Sequence, residues 1–280
     1  MSIIKVPFSL RSLSGKNING DISYIDDGIV KPIVIVCHGF MAFKDWGMYP
    51  FVGEEFAKQG FISVVFNFSH NGINERLDRI TDFEAFENNT ISKELLDIRS
   101  VIDQISIGSL YNENFDKEKI ILVSHSRGCG VAIVHASKDH RVKGLATWSP
   151  ISTFDRWNEK QKKRWRENGF LPASNQFITH PLKLGIGLLN DIENNFEQFN
   201  IQKAAEQLEI PWLILQGTED LITPKEEAEI LFSLADKTRT QYILLEQTGH
   251  LYNALNEKTN DTTTVQYILD LTTTFLHTHL

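Results

Sequence analysis

The sequence of 280 residues predicts an α/β protein built on a doubly wound, mostly parallel β-sheet with a helical insertion. First, short apolar runs alternate along the chain with segments whose apolar residues recur at helical spacing. Second, residues 33–37 form a continuous apolar run rich in β-branched side chains, which is typical of a strand buried on both faces. Third, the alternation stops near residue 150 and resumes near residue 208, so one sheet is expected to be interrupted by an insertion.

The predicted elements follow in a regular order. Two short strands are expected in the first thirty residues, before a turn at Asp26-Asp27-Gly28. Continuous apolar runs predict further strands at residues 33–37, 61–68, 120 onwards, 142–148, 211–216 and 241–246. Apolar residues at helical spacing predict helices at residues 46–59, 91–107, 131–136, 225–235 and 262–277. Alternation of this kind favours parallel strands with helices on both faces of the sheet.

Composition excludes several classes of protein. The net charge of −8 argues against a general nucleic-acid binder, which would present a basic face. No stretch is long and apolar enough to suggest membrane association, and Lys5, Pro7 and Arg11 interrupt any signal-peptide pattern, so we expect a cytoplasmic protein. Cys37 and Cys129 lack metal-ligand spacing and are expected to be buried, reduced thiols. Neither a metal nor a cofactor is expected, and the oligomeric state is open.

Residues 120–128, Ile-Ile-Leu-Val-Ser-His-Ser-Arg-Gly, carry the strongest functional signal. An apolar strand ends there in small residues around Ser126, and an apolar helix follows. This context is typical of the nucleophile elbow, Gly-x-Ser-x-Gly, in which a sharp turn exposes the serine side chain. Ser124 replaces the first glycine, whereas Gly128 is kept. The motif predicts Ser126 as a nucleophile, with Cys129 a weaker alternative because it lies inside the helix.

A serine nucleophile needs a base within hydrogen-bond reach and an acid that orients the base. His250, in a glycine-containing loop after the last strand, is the best candidate for the base; His70 and His125 are rivals. Asp220 follows the preceding strand and is the best candidate for the acid, although Glu219 could substitute. The polar residues that follow each parallel strand are expected at one edge of the sheet, where such sheets bind ligands.

The tetrahedral intermediate of acyl transfer also needs an oxyanion hole. The backbone N–H of Arg127, directly after the nucleophile, is one candidate donor. The N–H of Phe40, in the turn His38-Gly39-Phe40 after the first long strand, is the other, with Met41 as second choice. His38 itself is expected to brace this turn rather than to react.

These motifs together resemble those of the α/β-hydrolases, whose triad follows the chain order Ser, Asp, His. The resemblance implies acyl-enzyme chemistry without a cofactor, with Ser126, Asp220 and His250 as the triad. Residues 36–47 and 66–69 further resemble bacterial dienelactone-hydrolase-like proteins and small-acyl esterases, including cinnamoyl esterases. A true dienelactone hydrolase uses a cysteine nucleophile, so the serine at position 126 favours an esterase.

Residues 1–150 and 208–280 are therefore expected to form the hydrolase core, with residues 151–207 as a lid. Trp157 and Trp165, together with Phe170 and Phe177, could line an acyl or aromatic pocket, or could serve lid packing. The basic stretch at residues 155–167 could attract an anionic substrate or could be a solvated helix face.

The expected function is hydrolysis of a carboxylic ester with a small or medium acyl group. The alternatives are a peptidase or amidase that uses the same triad, and a hydrolase-fold protein that binds a ligand without turnover.

Overall fold

An eight-stranded β-sheet is the centre of the structure, a computed structural model that describes residues 2–74, 79–110, 114–173, 181–254 and 262–280. Its strands, with the two of a separate hairpin, are β1 (Ile4–Arg11), β2 (Asn17–Tyr24), β3 (Lys31–Cys37), β4 (Ile62–Phe66), β5 (Phe115–His125), β6 (Val142–Trp148), β7 (Phe170–Ala173), β8 (Leu182–Gly185), β9 (Trp212–Gly217) and β10 (Thr240–Leu245). The helices are α1 (Tyr49–Lys58), α2 (Phe83–Glu87), α3 (Ile91–Ser106), α4 (Arg127–Ala136), α5 (Glu159–Asn168), α6 (Ile186–Asn194), α7 (Ile201–Glu206), α8 (Lys225–Leu234) and α9 (Thr263–His279).

The strand order of the sheet is β1-β2-β4-β3-β5-β6-β9-β10. Strand β2 pairs antiparallel with β1 and with β4, and the remaining pairs are parallel. The prediction of a doubly wound, mostly parallel sheet is therefore confirmed. Because the parallel strands run in one direction, the loops that follow β3, β4, β5, β6, β9 and β10 all leave the sheet at the same edge.

Alternating side chains of the central strands enter two separate apolar clusters. In β3, Ile33, Ile35 and Cys37 belong to one cluster, whereas Val34 and Val36 belong to the other. Strands β5 and β9 alternate in the same way. Helices α1 and α9 cover the second cluster, and α3, α4 and α8 cover the first. The continuous apolar runs in the sequence follow from burial on both faces.

The insertion is packed against the core rather than extended from it. Strands β7 and β8 pair as a short antiparallel hairpin, although the sequence analysis predicted no strand in this region. Helix α6 packs on α3, where the Asp191 carboxylate accepts hydrogen bonds from the backbone and hydroxyl of Ser92 at 2.8 and 2.6 Å. Helix α7 packs on α4 and α8 and is the last helix of the crossover between the parallel strands β6 and β9.

None of the helices among the described residues combines the length and apolar character needed to cross a bilayer.

Candidate active site

Ser126 occupies a strained turn between β5 and α4. Its backbone angles, φ 56° and ψ −125°, lie in a region that residues with a Cβ rarely adopt. Two backbone hydrogen bonds hold the turn: the Ser126 amide donates to the Trp148 carbonyl, and the Cys129 amide donates to the Ser126 carbonyl, each at 2.9 Å. The side chain therefore sits at the tip of the turn, at the edge of the sheet where the loops gather.

Close backbone approach explains why small residues surround the serine. A Cβ on Gly128 would lie 2.5 Å from the His38 carbonyl oxygen, and a Cβ on Gly39 would lie 3.0 Å from Cβ of Ser126. The loop after β3 is thus pressed against the elbow. Ser124, in place of the usual glycine, is buried and its hydroxyl donates to the Ala146 carbonyl at 3.3 Å, so the neighbouring strand accommodates it.

The Asp220 carboxylate is buried and accepts several hydrogen bonds. The backbone amides of Ile222 and Thr223 donate to Oδ1, each at 2.9 Å, and the Thr223 hydroxyl donates to Oδ2 at 2.7 Å. Burial by itself would raise the pKa of this carboxyl, but the His250 ring and the Thr223 donors hold it well below its usual range. Asp220 is therefore ionised at neutral pH.

His250 faces this carboxylate. Its Nδ1 lies 2.9 Å from Oδ2 and 3.1 Å from Oδ1 of Asp220. Since the carboxylate can only accept, Nδ1 carries the hydrogen, and Nε2 has no hydrogen-bond partner among the described residues. The His250 ring packs against the ring of His125, with the two ring centroids 4.7 Å apart. His125 directly precedes Ser126 in the chain. Among the described residues, no hydrogen bond joins the Ser126 hydroxyl to His250, so the structure directly joins two of the three triad candidates.

The rival histidines have other partners. His70 Nδ1 lies 2.9 Å from the Ser69 hydroxyl, and burial, with the nearby charges of Lys93 and Lys16, lowers its pKa to about 4. His125 Nε2 donates to the carbonyl oxygen of His250 at 2.8 Å. Of the three histidines, His250 is the one hydrogen-bonded to a carboxylate in the described structure. Glu219, the alternative acid, is exposed.

The two candidate oxyanion donors, the backbone amides of Phe40 and Arg127, make no hydrogen bond to any described residue. His38 fixes the orientation of the first of them. Its Nε2 accepts from the Phe68 amide at 3.2 Å, so Nδ1 carries the hydrogen and donates to the Gly39 carbonyl at 2.9 Å. Because the Gly39 carbonyl and the Phe40 N–H belong to one planar peptide, this bond aims the N–H in the opposite direction.

His38 is held neutral in this role. Burial lowers its pKa to about 4, although the hydrogen bond to the Gly39 carbonyl opposes part of this decrease. The side-chain nitrogen of Asn71 also lies 3.3 Å from Nε2 of His38. A neutral, doubly hydrogen-bonded ring agrees with the expectation that His38 braces the turn.

The side chain of Arg127 contributes to the same turn, which the sequence analysis did not foresee. Its guanidinium pairs with the buried Glu94 carboxylate and lies over the Phe40 ring, 4.5 Å from the centroid. Asn89 donates to the same carboxylate at 2.8 Å. Glu94 and Asp97 are acidic residues among the buried positions of the amphipathic helix α3, and this was the available sequence signal.

The tryptophans of the predicted lid pack on each other. Trp165 is fully buried within the first core cluster, and Trp157 meets it edge-to-face with centroids 4.9 Å apart. This arrangement matches the packing alternative for Trp165, because a side chain with no exposed surface does not line an open pocket. Phe170 is partly buried and lies at the start of β7, and Phe177 lies outside the described residues.

Acidic neighbours pair with several cations of the stretch at residues 155–167. Lys162 contacts Asp155 at 2.6 Å, and Arg166 contacts Glu193 at 2.6 Å. Arg156 contacts Glu227 at the start of α8, also at 2.6 Å. These pairs reduce the positive field that the sequence suggested.

The alternative nucleophile, Cys129, is a buried thiol. Cys37 and Cys129 are free and fully buried, and burial raises the pKa of Cys129 to about 12. A thiol that stays protonated at neutral pH is a poor nucleophile. The described residues contain no group of three or more histidine, cysteine or acidic side chains placed to hold a metal ion.

Comparisons with known proteins agree with this architecture. The family model described as "alpha/beta hydrolase fold" matches residues 32–168. The α/β-hydrolase GrgF from Penicillium sp. sh18 is 16% identical, with 100% of this chain and 99% of that chain covered and a TM-score of 0.72. The monoacylglycerol lipase of Paleococcus ferrophilus is 18% identical, with 100% of both chains covered and a TM-score of 0.67.

The esterase domain of a Rhodothermus marinus protein is 17% identical, with 98% of both chains covered and a TM-score of 0.63. A search of the curated proteins found no significant match. At these identities the solved structures establish the fold. Together with the family model and the strand order, they show that the chain has the α/β-hydrolase fold.

Proposed function

We propose that this protein is a serine hydrolase that cleaves carboxylic esters of small or medium acyl groups through an acyl-enzyme intermediate. The observation that carries the proposal is the buried, ionised Asp220 hydrogen-bonded to His250 at 2.9 Å, beside the strained elbow of Ser126. Two solved structures that share this fold are an esterase domain and a monoacylglycerol lipase, and this supports an ester as the substrate. The residue roles follow from chain order and hydrogen-bond direction.

In the first half-reaction, the Ser126 oxygen attacks the ester carbonyl carbon while Nε2 of His250 takes the hydroxyl proton. Asp220 stabilises the imidazolium that forms. The carbonyl oxygen becomes an oxyanion, which the Phe40 and Arg127 amides bind. When the intermediate collapses, the C–O bond to the alcohol breaks and His250 returns the proton to the leaving alcohol. The acyl group remains on Ser126.

In the second half-reaction, water replaces the alcohol. His250 takes a proton from the water as its oxygen attacks the acyl carbon, and the same two amides bind the second oxyanion. Collapse breaks the bond to Ser126 and returns the proton to the serine oxygen. A serine–histidine hydrogen bond is needed at the moment of attack, and such bonds often form only in the substrate complex.

Hydrolysis of a chromogenic short-chain ester by the wild type and by Ser126→Ala tests the proposal. The wild type should turn over the ester, and the variant should lose at least about a thousandfold in kcat because no nucleophile remains. Ser124→Ala is a matched control, since Ser124 is a buried serine two positions away that is bonded to a backbone carbonyl.

A fluorophosphonate probe separates the remaining outcomes. A reactive Ser126 is labelled in the wild type and not in Ser126→Ala. A protein that neither hydrolyses a panel of esters nor reacts with the probe would be a hydrolase-fold binding protein, and the proposal would be wrong. A matched anilide hydrolysed faster than the ester would instead favour an amidase.

A further inference from the structure

A directed chain of hydrogen bonds connects the loop that follows β3 with the loop that carries His250. The Gly39 amide donates to the Tyr49 oxygen at 3.0 Å, and the Tyr49 oxygen lies 3.1 Å from Nδ1 of His125. Nε2 of His125 lies 2.8 Å from the carbonyl oxygen of His250. We call Gly39, Tyr49, His125 and the His250 carbonyl the relay.

The direction of each bond in the relay is determined by its two ends. A backbone amide can only donate, so the Tyr49 oxygen accepts from Gly39 and its own hydrogen points to Nδ1 of His125. A carbonyl oxygen can only accept, so Nε2 of His125 carries the hydrogen. Burial, with the nearby His250, lowers the pKa of His125 to about 3, which keeps the ring in this neutral form. Both bonds made by His125 therefore depend on one tautomer.

The relay joins two loops whose backbones are strained. The loop after β3 contains Met41 at φ 61°, and the loop around His250 contains Gln247, Tyr252 and Asn253 at φ 54°, 51° and 60°. Non-glycine residues in this region persist only where surrounding contacts hold them. Tyr49 and His125 are both nearly inaccessible to solvent, at 1% and 3% exposed, so water does not compete for these bonds.

The position of the relay relative to the proposed chemistry is specific. One end fixes the amide of Gly39, whose neighbour Phe40 supplies a proposed oxyanion donor. The other end fixes the main chain of His250, whose side chain is the proposed base. Among the described residues, the side chain of His125 makes no hydrogen bond to the Asp220 carboxylate or to the Ser126 hydroxyl.

We propose that His125 is a positioning residue that, through Tyr49, sets the distance between the base His250 and the oxyanion donor Phe40. The role rests on the proposed function, because it acts only on a reaction that uses both groups. The sequence left His125 as a rival of His250 for the base. In the structure its ring instead makes a hydrogen bond to the main chain of His250.

Kinetics on the ester that Ser126 hydrolyses test the role. Tyr49→Phe removes one oxygen atom, and His125→Leu removes both bonds of the ring. Each should lower kcat at least about tenfold with KM changed less than about threefold, since small displacements of reacting groups cost rate more than binding. His125→Gln should restore kcat to within about threefold of the wild type, because its amide both donates and accepts.

A double-mutant cycle distinguishes the relay from general loosening of the core. Tyr49→Phe added to His125→Leu should lower kcat by less than about twofold more, because the bond is already lost. Tyr242→Phe is the matched control, since the Tyr242 hydroxyl is buried without a hydrogen-bond partner among the described residues; its kcat should not change. Circular dichroism establishes whether each variant is folded. If His125→Leu does not fold, the kcat of Tyr49→Phe alone tests the positioning role.

Two different results would contradict the positioning role of His125. If Ser126-dependent hydrolysis is found but Tyr49→Phe and His125→Leu both keep kcat within about twofold, or if His125→Gln is as slow as His125→Leu, the relay does not position the site. If no Ser126-dependent hydrolysis exists, the proposed function fails and the positioning role fails with it.

Discussion

The chemistry of single side chains at this site is determined largely by which of their partners can only donate or only accept. Carboxylate and carbonyl oxygens assign the hydrogen to Nδ1 of His250 and to Nε2 of His125. A backbone amide assigns it to Nδ1 of His38. The three histidines thus have three distinct sets of partners. Among the described residues, only His250 of the three keeps a ring nitrogen without a hydrogen-bond partner.

Exchange of the acid is the sharpest test at this scale. Asp220→Asn should lower kcat at least about a hundredfold, because an amide does not stabilise the imidazolium and can present an N–H to Nδ1. Glu219→Gln is the matched control, since it removes the same charge one position away from an exposed side chain, and its kcat should stay within about twofold. Steady-state kinetics on one ester measure both. A large loss in Glu219→Gln with none in Asp220→Asn would move the acid to Glu219.

The sequence was informative for residues that lie in a local motif and uninformative for those joined through space. Ser126 stands in a recognisable elbow, and Asp220 and His250 follow predicted strands in the expected order. Tyr49 lies on helix α1, 76 positions from its partner His125, and no local pattern distinguishes its hydroxyl from any other buried tyrosine. Its contact arises only when the sheet brings the loops together.

At the level of elements, hydrophobic periodicity predicted the parts of the fold that are buried on two sides. Strands β3, β5 and β9 send alternate side chains into two clusters, so their sequences are continuously apolar and easily recognised. The hairpin of β7 and β8 has only four residues in each strand, with mixed burial. Such short strands carry too few side chains to display a period, which is why the insertion gave no strand signal.

Contact between the elbow and the loop after β3 is a property of elements, and Gly128→Ala tests it. The new Cβ would meet the carbonyl oxygens of His38 and Cys37 at 2.5 and 2.8 Å, and backbone cannot move aside as a side chain does. We expect about 1–3 kcal/mol of lost stability and at least a roughly tenfold fall in kcat/KM, because the Phe40 amide is displaced.

Gly187→Ala is the control for that experiment. A Cβ on Gly187, in the first turn of helix α6, meets nothing within 4 Å. Its activity should be unchanged and its stability equal or up to about 1 kcal/mol higher, because alanine favours helix more than glycine does. Urea denaturation and ester kinetics give the two readouts. Equal behaviour of the two variants would show that the close approach at Gly128 is not tight.

At the scale of the whole molecule, the histidines buried near the site make folding sensitive to acid. Burial lowers the pKa of His38 and His70 to about 4 and that of His125 to about 3, from a usual value of 6.5. Burial acts in the opposite direction on Asp97, whose pKa rises to about 6. Between pH 6.5 and 4, the three histidines therefore become protonated in the unfolded chain but stay neutral in the folded protein. Asp97 behaves in the opposite way, because its carboxyl is protonated in the folded protein and ionised in the unfolded chain.

The sign of the pH dependence follows from this difference. Where the unfolded state binds more protons, stability falls as pH falls, so the three histidines outweigh the single carboxyl. We expect the free energy of unfolding to decrease on the order of 3 kcal/mol between pH 6.5 and pH 5. Urea denaturation followed by tryptophan fluorescence at a series of pH values measures it.

His70→Gln should remove about a third of the histidine contribution, and His140→Gln, at an exposed position, should leave the dependence as it is. Stability that stays constant or rises over this interval would mean that the buried rings accept protons in the folded state, and the tautomers on which the relay and the His38 brace depend would then not persist.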